Sequence, residues 1–131
     1  MTFSVKVVPS TGLGIGVFTG RFDPEANRQA LVELWNAPDW NGRGMVWDLR
    51  AAKLDVTPED VREFAQFILQ NQPVPPPSRV AFVAAGDFNF GTLRMFEGYR
   101  EDERTKTFVT RDYDEAVAWA SAAEPTEPGR D

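Results

Sequence analysis

Apolar residues recur along this chain in two rhythms. From Phe3 to Val8 they alternate with polar ones, and after Pro9-Ser10-Thr11-Gly12 the run from Leu13 to Thr19 is apolar again. Two β-type runs around a Pro/Gly turn predict a hairpin. The rhythm then changes. Asp23-Pro24-Glu25 supplies an acidic N-cap, a proline in the first turn and a second acid, which together mark a helix start. Ala26, Ala30, Leu31 and Leu34 follow at helical spacing with Trp35 beside them, and Pro38-Asp39-Trp40-Asn41-Gly42 ends the element. This predicts a first helix over about residues 24 to 37.

Gly44 to Leu49 reads as a buried central strand that finishes in the charged tip Asp48-Leu49-Arg50. Thr57-Pro58-Glu59-Asp60 then opens a second helix, with threonine as cap, proline at the first position and an acid where a capping box wants one. Val61, Phe64, Ala65, Ile68 and Leu69 keep the i, i+3, i+4 pattern through residues 58–70. Arg79 to Ala85 is near-continuously apolar, as strands covered on both faces of a parallel sheet are. Gly86-Asp87-Phe88-Asn89-Phe90-Gly91 reads as a loop entering a third helix with Leu93, Met95, Phe96 and Tyr99. Lys106 to Thr110 is a last strand, and Asp112 caps a final helix bearing Tyr113, Ala116, Val117 and Ala120 on one face.

The predicted order is β-β-α-β-α-β-α-β-α. Each interval after the second strand can hold a helix and return the chain parallel. The expected fold is α/β, a mixed, mainly parallel sheet with an antiparallel N-terminal strand. Residues 1–121 form one domain and 122–131, small, acidic and rich in proline, a flexible tail.

Composition narrows the function. The chain has 131 residues, 42% hydrophobic and 26% charged, which suits one globular domain. A formal net charge of -6 argues against nucleic acid, which calls for a basic face. There is no cysteine and no histidine, so thiol chemistry, imidazole metal sites and serine–histidine triads cannot form within the chain. No resident cofactor is expected. Met1 to Lys6 carries no leader-like pattern, and no apolar stretch approaches a membrane span. A cytoplasmic address is expected.

Two motifs are set aside. Gly12, Gly14 and Gly16 lack the G-x-G-x-x-G spacing and lead into a strand, so they read as turn and packing glycines rather than a dinucleotide loop. Pro73-Val74-Pro75-Pro76-Pro77-Ser78 holds one P-x-x-P with no arginine at the flanking position that recognition wants, and reads as a stiff connection.

The phrases Val46-Trp47-Asp48-Leu49-Arg50, Val80-Ala81-Phe82-Val83-Ala84, Phe90-Gly91-Thr92-Leu93-Arg94-Met95-Phe96 and Asp114-Glu115-Ala116-Val117-Ala118-Trp119 come in an order that resembles the bacterial SpoIIAA-like (STAS-like) proteins. The resemblance spans about residues 12 to 120. It implies successive β-α turns and a non-enzymatic role in regulation or binding. It also implies a hydroxyl residue at the entrance to the second helix that takes phosphate from a partner kinase. Asp55-Val56-Thr57 stands where that family carries Asp-Ser-Ser, with Val56 replacing one serine and Pro58 following. Thr57 thus reads first as a plain helix cap and, alternatively, as a candidate phosphorylation site.

Function in such sheets gathers outside the carboxyl ends of the strands. Asp48 and Arg50 point to the same side there. They form either a salt bridge closing the sheet edge, or, with Arg94 and the Gly86–Gly91 loop, an anion site. Asp48 with Asp87 is a candidate acid/base or magnesium pair, though their spacing does not demand it. Trp40, Phe88 and Phe90 either fold back onto the core or form an apolar patch near the strand tips. The expected surface therefore comprises Asp48, Arg50, Thr57, Asp87, Phe88, Phe90, Gly91 and Arg94. The expected partner is a protein. A carrier or sensor of a small anionic or apolar ligand at the strand tips is the alternative, and the first hairpin offers an edge strand for homodimer pairing.

Overall fold

Alternation along the two central strands decides how the layers form. The structure, a computed structural model, describes residues 3–71, 78–86, 91, 94 and 105–122; for Pro58, Val61, Phe64, Ala65, Ile68, Leu69, Asn71, Ser78 and Thr105 it describes the backbone alone. Strand β1 (Phe3–Val7) pairs antiparallel with β2 (Gly14–Phe18), Phe3 opposite Phe18. A two-residue strand, β3 (Arg21–Phe22), leads into helix α1 (Pro24–Trp35). Strand β4 (Gly44–Asp48), the short β5 (Lys53–Leu54) and helix α2 (Pro58–Asn71) follow. Then come β6 (Ser78–Val83), β7 (Thr105–Thr110) and helix α3 (Tyr113–Ser121).

The main sheet runs β1-β2-β4-β6-β7 and is parallel from β2 onward. Strands β4 and β6 lie side by side in the same direction, Trp47 opposite Phe82. This is the mixed α/β sheet with one antiparallel strand that the pattern predicts. The carboxyl ends of β2, β4, β6 and β7 consequently share one edge. Strands β3 and β5 pair parallel in a separate two-stranded sheet.

Each face of the main sheet has its own core. Met45, Trp47, Val80 and Phe82 face α1 and pack with Phe18, Phe22, Ala30, Leu31 and Leu34. Val46, Ala81 and Val83 face α3 and pack with Leu13, Ile15, Ala116 and Ala120. Full burial of a large apolar side chain stabilises by roughly 1.5–3 kcal/mol. The face bearing Trp47, Phe18, Phe22 and Phe82, all almost fully buried, therefore carries the larger share. Close packing makes two glycines necessary. A Cβ on Gly16 would come 2.9 Å from the Trp47 ring, and one on Gly44 would press into the backbone oxygen of Ala120 in α3.

Element ends follow from local chemistry. The Asp23 side chain accepts from the Ala26 N–H and starts α1, while the Asn36 N–H returns to the Val32 and Leu34 carbonyls and ends it two residues before the predicted limit. Strands β3 and β5 were not foreseen, because two residues carry no periodicity. Helix α2 follows its prediction to within a residue. The side chains of Phe64 and Ile68 lie outside the described residues. Phe67 packs against the α1-side core and stacks on Trp35, ring centroids 5.8 Å apart at 19°. Leu93, Met95, Phe96 and Tyr99 of the predicted third helix, most of the proline-rich connection and the tail from residue 123 also lie outside the described residues.

Candidate functional site

The tip of β4 holds the best-defined polar cluster. Asp48 is 6% exposed and faces the α3 side. Its Oδ1 accepts from the Arg50 backbone N–H at 3.1 Å and from Arg50 Nε at 2.9 Å, and its Oδ2 accepts from Nη2 at 2.8 Å. The two side chains thus meet fork to fork, the strongest geometry for this ion pair. Burial alone pushes the Asp48 carboxyl up, but the hydrogen bonds and charge of Arg50 outweigh it and hold the carboxyl below the ordinary carboxylate range. The hydrogen bond to Asp48 raises the Arg50 guanidinium, helped by the charge of Asp48, Tyr113 and Asp114 against partial burial.

Arg50 also lies over the ring of Tyr113, its guanidinium carbon 4.8 Å from the ring centroid. Tyr113 is the first residue of α3, where Asp112 caps the helix by accepting from the Glu115 N–H at 3.1 Å. Thr110, at the end of β7, donates to Glu115 Oε1 at 2.7 Å and accepts from the Asp112 N–H at 3.1 Å. Arg50, Thr110 and residues 111–115 line an open depression at the strand tips. The Arg50 side chain remains 47% exposed there. Two tethers hold it, yet part of its hydrogen-bonding edge reaches solvent.

The other expected residues are distributed as follows. Thr57 is exposed and forms a reciprocal capping box with Asp60: Thr57 N–H donates to Oδ2 and Asp60 N–H donates to the threonine hydroxyl, each at 3.0 Å. It lies beyond β5, where Arg21 pairs with Asp55 across the small sheet. Gly91 and Arg94 are helical and exposed; the contacts that hold Arg50 come from Asp48 and Tyr113 instead. Asp87, Phe88 and Phe90 lie outside the described residues.

Of its two expected placements, Trp40 takes the one on the core. It is half-buried, its indole N–H donates to the Gly44 carbonyl at 3.0 Å, and it packs on the α1-side core. Gly44 begins β4, so Trp40 sits at the amino end of the sheet, opposite the strand tips. It cannot line a pocket beside Arg50.

The sequence reading missed Tyr113 as the ring beneath Arg50, and Thr110 and Glu115 beside it. Contacts between β4 and α3 span more than sixty residues and leave no local spacing. It also missed Asn27. This residue is 3% exposed on the buried face of α1, and its Oδ1 accepts from the Trp47 indole at 2.9 Å. A signal existed: Asn27 falls three, four and seven positions before Ala30, Leu31 and Leu34, so a polar residue stood on the apolar stripe.

No known family pattern matches this sequence, and no curated protein matches it. Its structure is similar to a crystal structure of an uncharacterised protein of the DUF3478 family with a SpoIIAA-like fold, from Shewanella loihica PV-4. The two share 12% identity with a TM-score of 0.58, covering 90% of this chain and 93% of the other. A likeness at that identity establishes the fold alone, and the chain has a SpoIIAA-like α/β fold. Among the described residues no helix is long and apolar enough to cross a membrane.

Proposed function

We propose that this domain is a non-enzymatic binding module of regulatory type that engages a protein partner at the strand tips. The observation that carries the reading is the half-exposed Arg50 guanidinium, clamped by Asp48 and laid on Tyr113 beside an open polar depression. A side chain already fixed loses less conformational freedom on binding, so its contacts contribute more net affinity. Arg50 offers a carboxylate-binding edge, while Asp112, Asp114 and Glu115 beside it suit basic groups. A partner of mixed charge, with basic residues flanking an acid, fits this pattern.

The same geometry weighs against Asp48 as a general base. A carboxylate with both oxygens hydrogen-bonded to a guanidinium, and held below its ordinary range, has little affinity for a substrate proton. The test compares capture from native lysate by the wild-type chain and by an Arg50→Ala, Tyr113→Ala double variant. A protein retained by the first and lost at least about tenfold with the second, a difference of roughly 1.4 kcal/mol, is expected. Identical captured proteins for both would overturn the assignment of this surface.

A further inference from the structure

Each end of α3 receives an arginine from the sheet, and the two arginines are answered differently. Arg50, at the strand tips, gives its Nε and Nη2 edge to Asp48. Arg79 comes from the amino end of β6, where its backbone N–H donates to the Arg43 carbonyl at 2.7 Å. Its Nη1 donates to the Trp119 carbonyl at 2.9 Å, and its guanidinium carbon lies 5.0 Å from the Trp119 ring centroid. The ring is itself held against Phe108, with centroids 5.1 Å apart. Among the described residues no carboxylate pairs with Arg79.

A helix C-terminus carries about half a negative charge, so the last turn of α3 answers only part of the guanidinium. Nε and Nη2 form the fork that a carboxylate fits. Neither meets an acceptor among the described residues, and neither is sealed from solvent. Lys106 stands opposite Arg79 in register across β6 and β7. Ala81 and Val83 of β6 place that face on the α3 side, since alternate residues of a strand share a face. Lys106 is exposed there. Two cations thus stand about 5 Å apart at their backbones, on a chain whose net charge is -6. They present two separate charges rather than one cradle, which suits a chain bearing several carboxylates better than a single small anion.

We propose that Arg79 and Lys106 form a docking point for an acidic segment of a partner protein, one carboxylate meeting the Arg79 fork and another meeting Lys106. Trp119 holds the guanidinium in place beforehand, so little conformational freedom is lost on binding. The surface lies at the amino end of the sheet, across from the strand tips. It stands or fails independently of the partner surface at Arg50.

The contact between Arg79 and Trp119 gives a direct readout. The blocked peptide Asp-Glu-Asp-Glu is titrated into the 15N-labelled full chain while the Arg79 Nε–H and Trp119 indole signals are followed. Its amide counterpart Asn-Gln-Asn-Gln and inorganic phosphate serve as comparisons. The acidic peptide is expected to move both signals saturably, and less tightly as salt is raised. The amide peptide is expected to leave them in place, and phosphate to bind more weakly than the acidic peptide. Arg79→Lys keeps the charge but removes the fork, and should weaken the acidic peptide about tenfold, as loss of a charge-assisted hydrogen bond does. Lys106→Gln, an exposed change that leaves the fold intact, should weaken it about threefold, the effect of one unit charge at about 6 Å in water. Signals unmoved by the acidic peptide at millimolar concentrations would overturn the site. The amide peptide acting as well would overturn the role of the carboxylates, and phosphate binding as tightly would overturn the protein segment in favour of a small anion. Either variant binding as tightly as the wild type would overturn the two-cation surface.

Discussion

The indole N–H of Trp47 ends 2.9 Å from the side-chain oxygen of Asn27, and both residues are almost fully buried. One is in the central strand and the other in α1, so a single polar contact fixes how that helix sits on the sheet. Asn27→Leu fills the space but strands the indole N–H. We expect a loss of about 1–3 kcal/mol, the cost of an unsatisfied buried donor, read by urea unfolding. A variant as stable as the wild type would show that the indole finds another acceptor.

Asp48 gives the protein a dependence on acid. Its carboxyl is held below the ordinary range in the folded state, through Arg50. A depressed folded value means stability that is fully present above the unfolded value, about 3.9, and is lost as pH falls through the folded one. Asp48→Asn should therefore lower stability at neutral pH and flatten the decline below about pH 4. Parallel acid limbs for the two proteins would show that other carboxylates account for that decline.

Thr57 and Asp60 close the first turn of α2 with two mutual hydrogen bonds. Thr57→Ala is expected to cost about 1 kcal/mol, and Thr57→Ser to recover most of it. Thermal unfolding of the three proteins checks this. Serine failing to rescue would place the effect in the threonine methyl group rather than the cap.

Arg50 and Tyr113 should show coupling of their own. The pair is partly exposed, and cation–π contacts in that setting contribute roughly 0.5–1 kcal/mol. A double-mutant cycle of Arg50→Lys and Tyr113→Leu, read by chemical unfolding, measures it. Strict additivity would mean that the ring and the guanidinium are neighbours without mutual stabilisation.

Gly44→Ala should destabilise through the backbone of α3, since the new methyl group meets the Ala120 carbonyl. Overpacking of this kind costs about 1–3 kcal/mol. Loss of protection confined to the amides of residues 113–121 would locate the damage.

Strong periodicity and end signals made the hairpin, α1, α2, the two central strands and α3 legible in the sequence. Apolar residues at spacings of two or three to four have few other ways to be buried. Asp23, Thr57 and Asp112 fixed helix starts because capping is a local event. The site was legible only in its first half. Asp48 and Arg50 are two residues apart on one strand tip, and their pairing follows from that. Tyr113 and Thr110 reach the same place only through the sheet order, which is a global property. Trp40 could be read only as far as two alternatives, core or strand-tip patch, because a turn residue gives no hint of which end of the sheet it will cover. Asn27 broke the apolar stripe of α1, and its meaning required knowing that Trp47 lies beneath it.

Helix α3 serves a core and a candidate surface at once, and the double duty has a mechanical result. Its side of the sheet packs Leu13, Ile15, Val46, Ala81, Val83, Ala116 and Ala120, with Phe108, Tyr113, Val117 and Trp119 partly buried against them. Tyr113 at its first turn is also the platform under Arg50. Any molecule seated on that platform therefore adds its own free energy to the hold on this helix. Occupancy at the strand tips would be reported, amide by amide, as slower solvent exchange along the C-terminal helix.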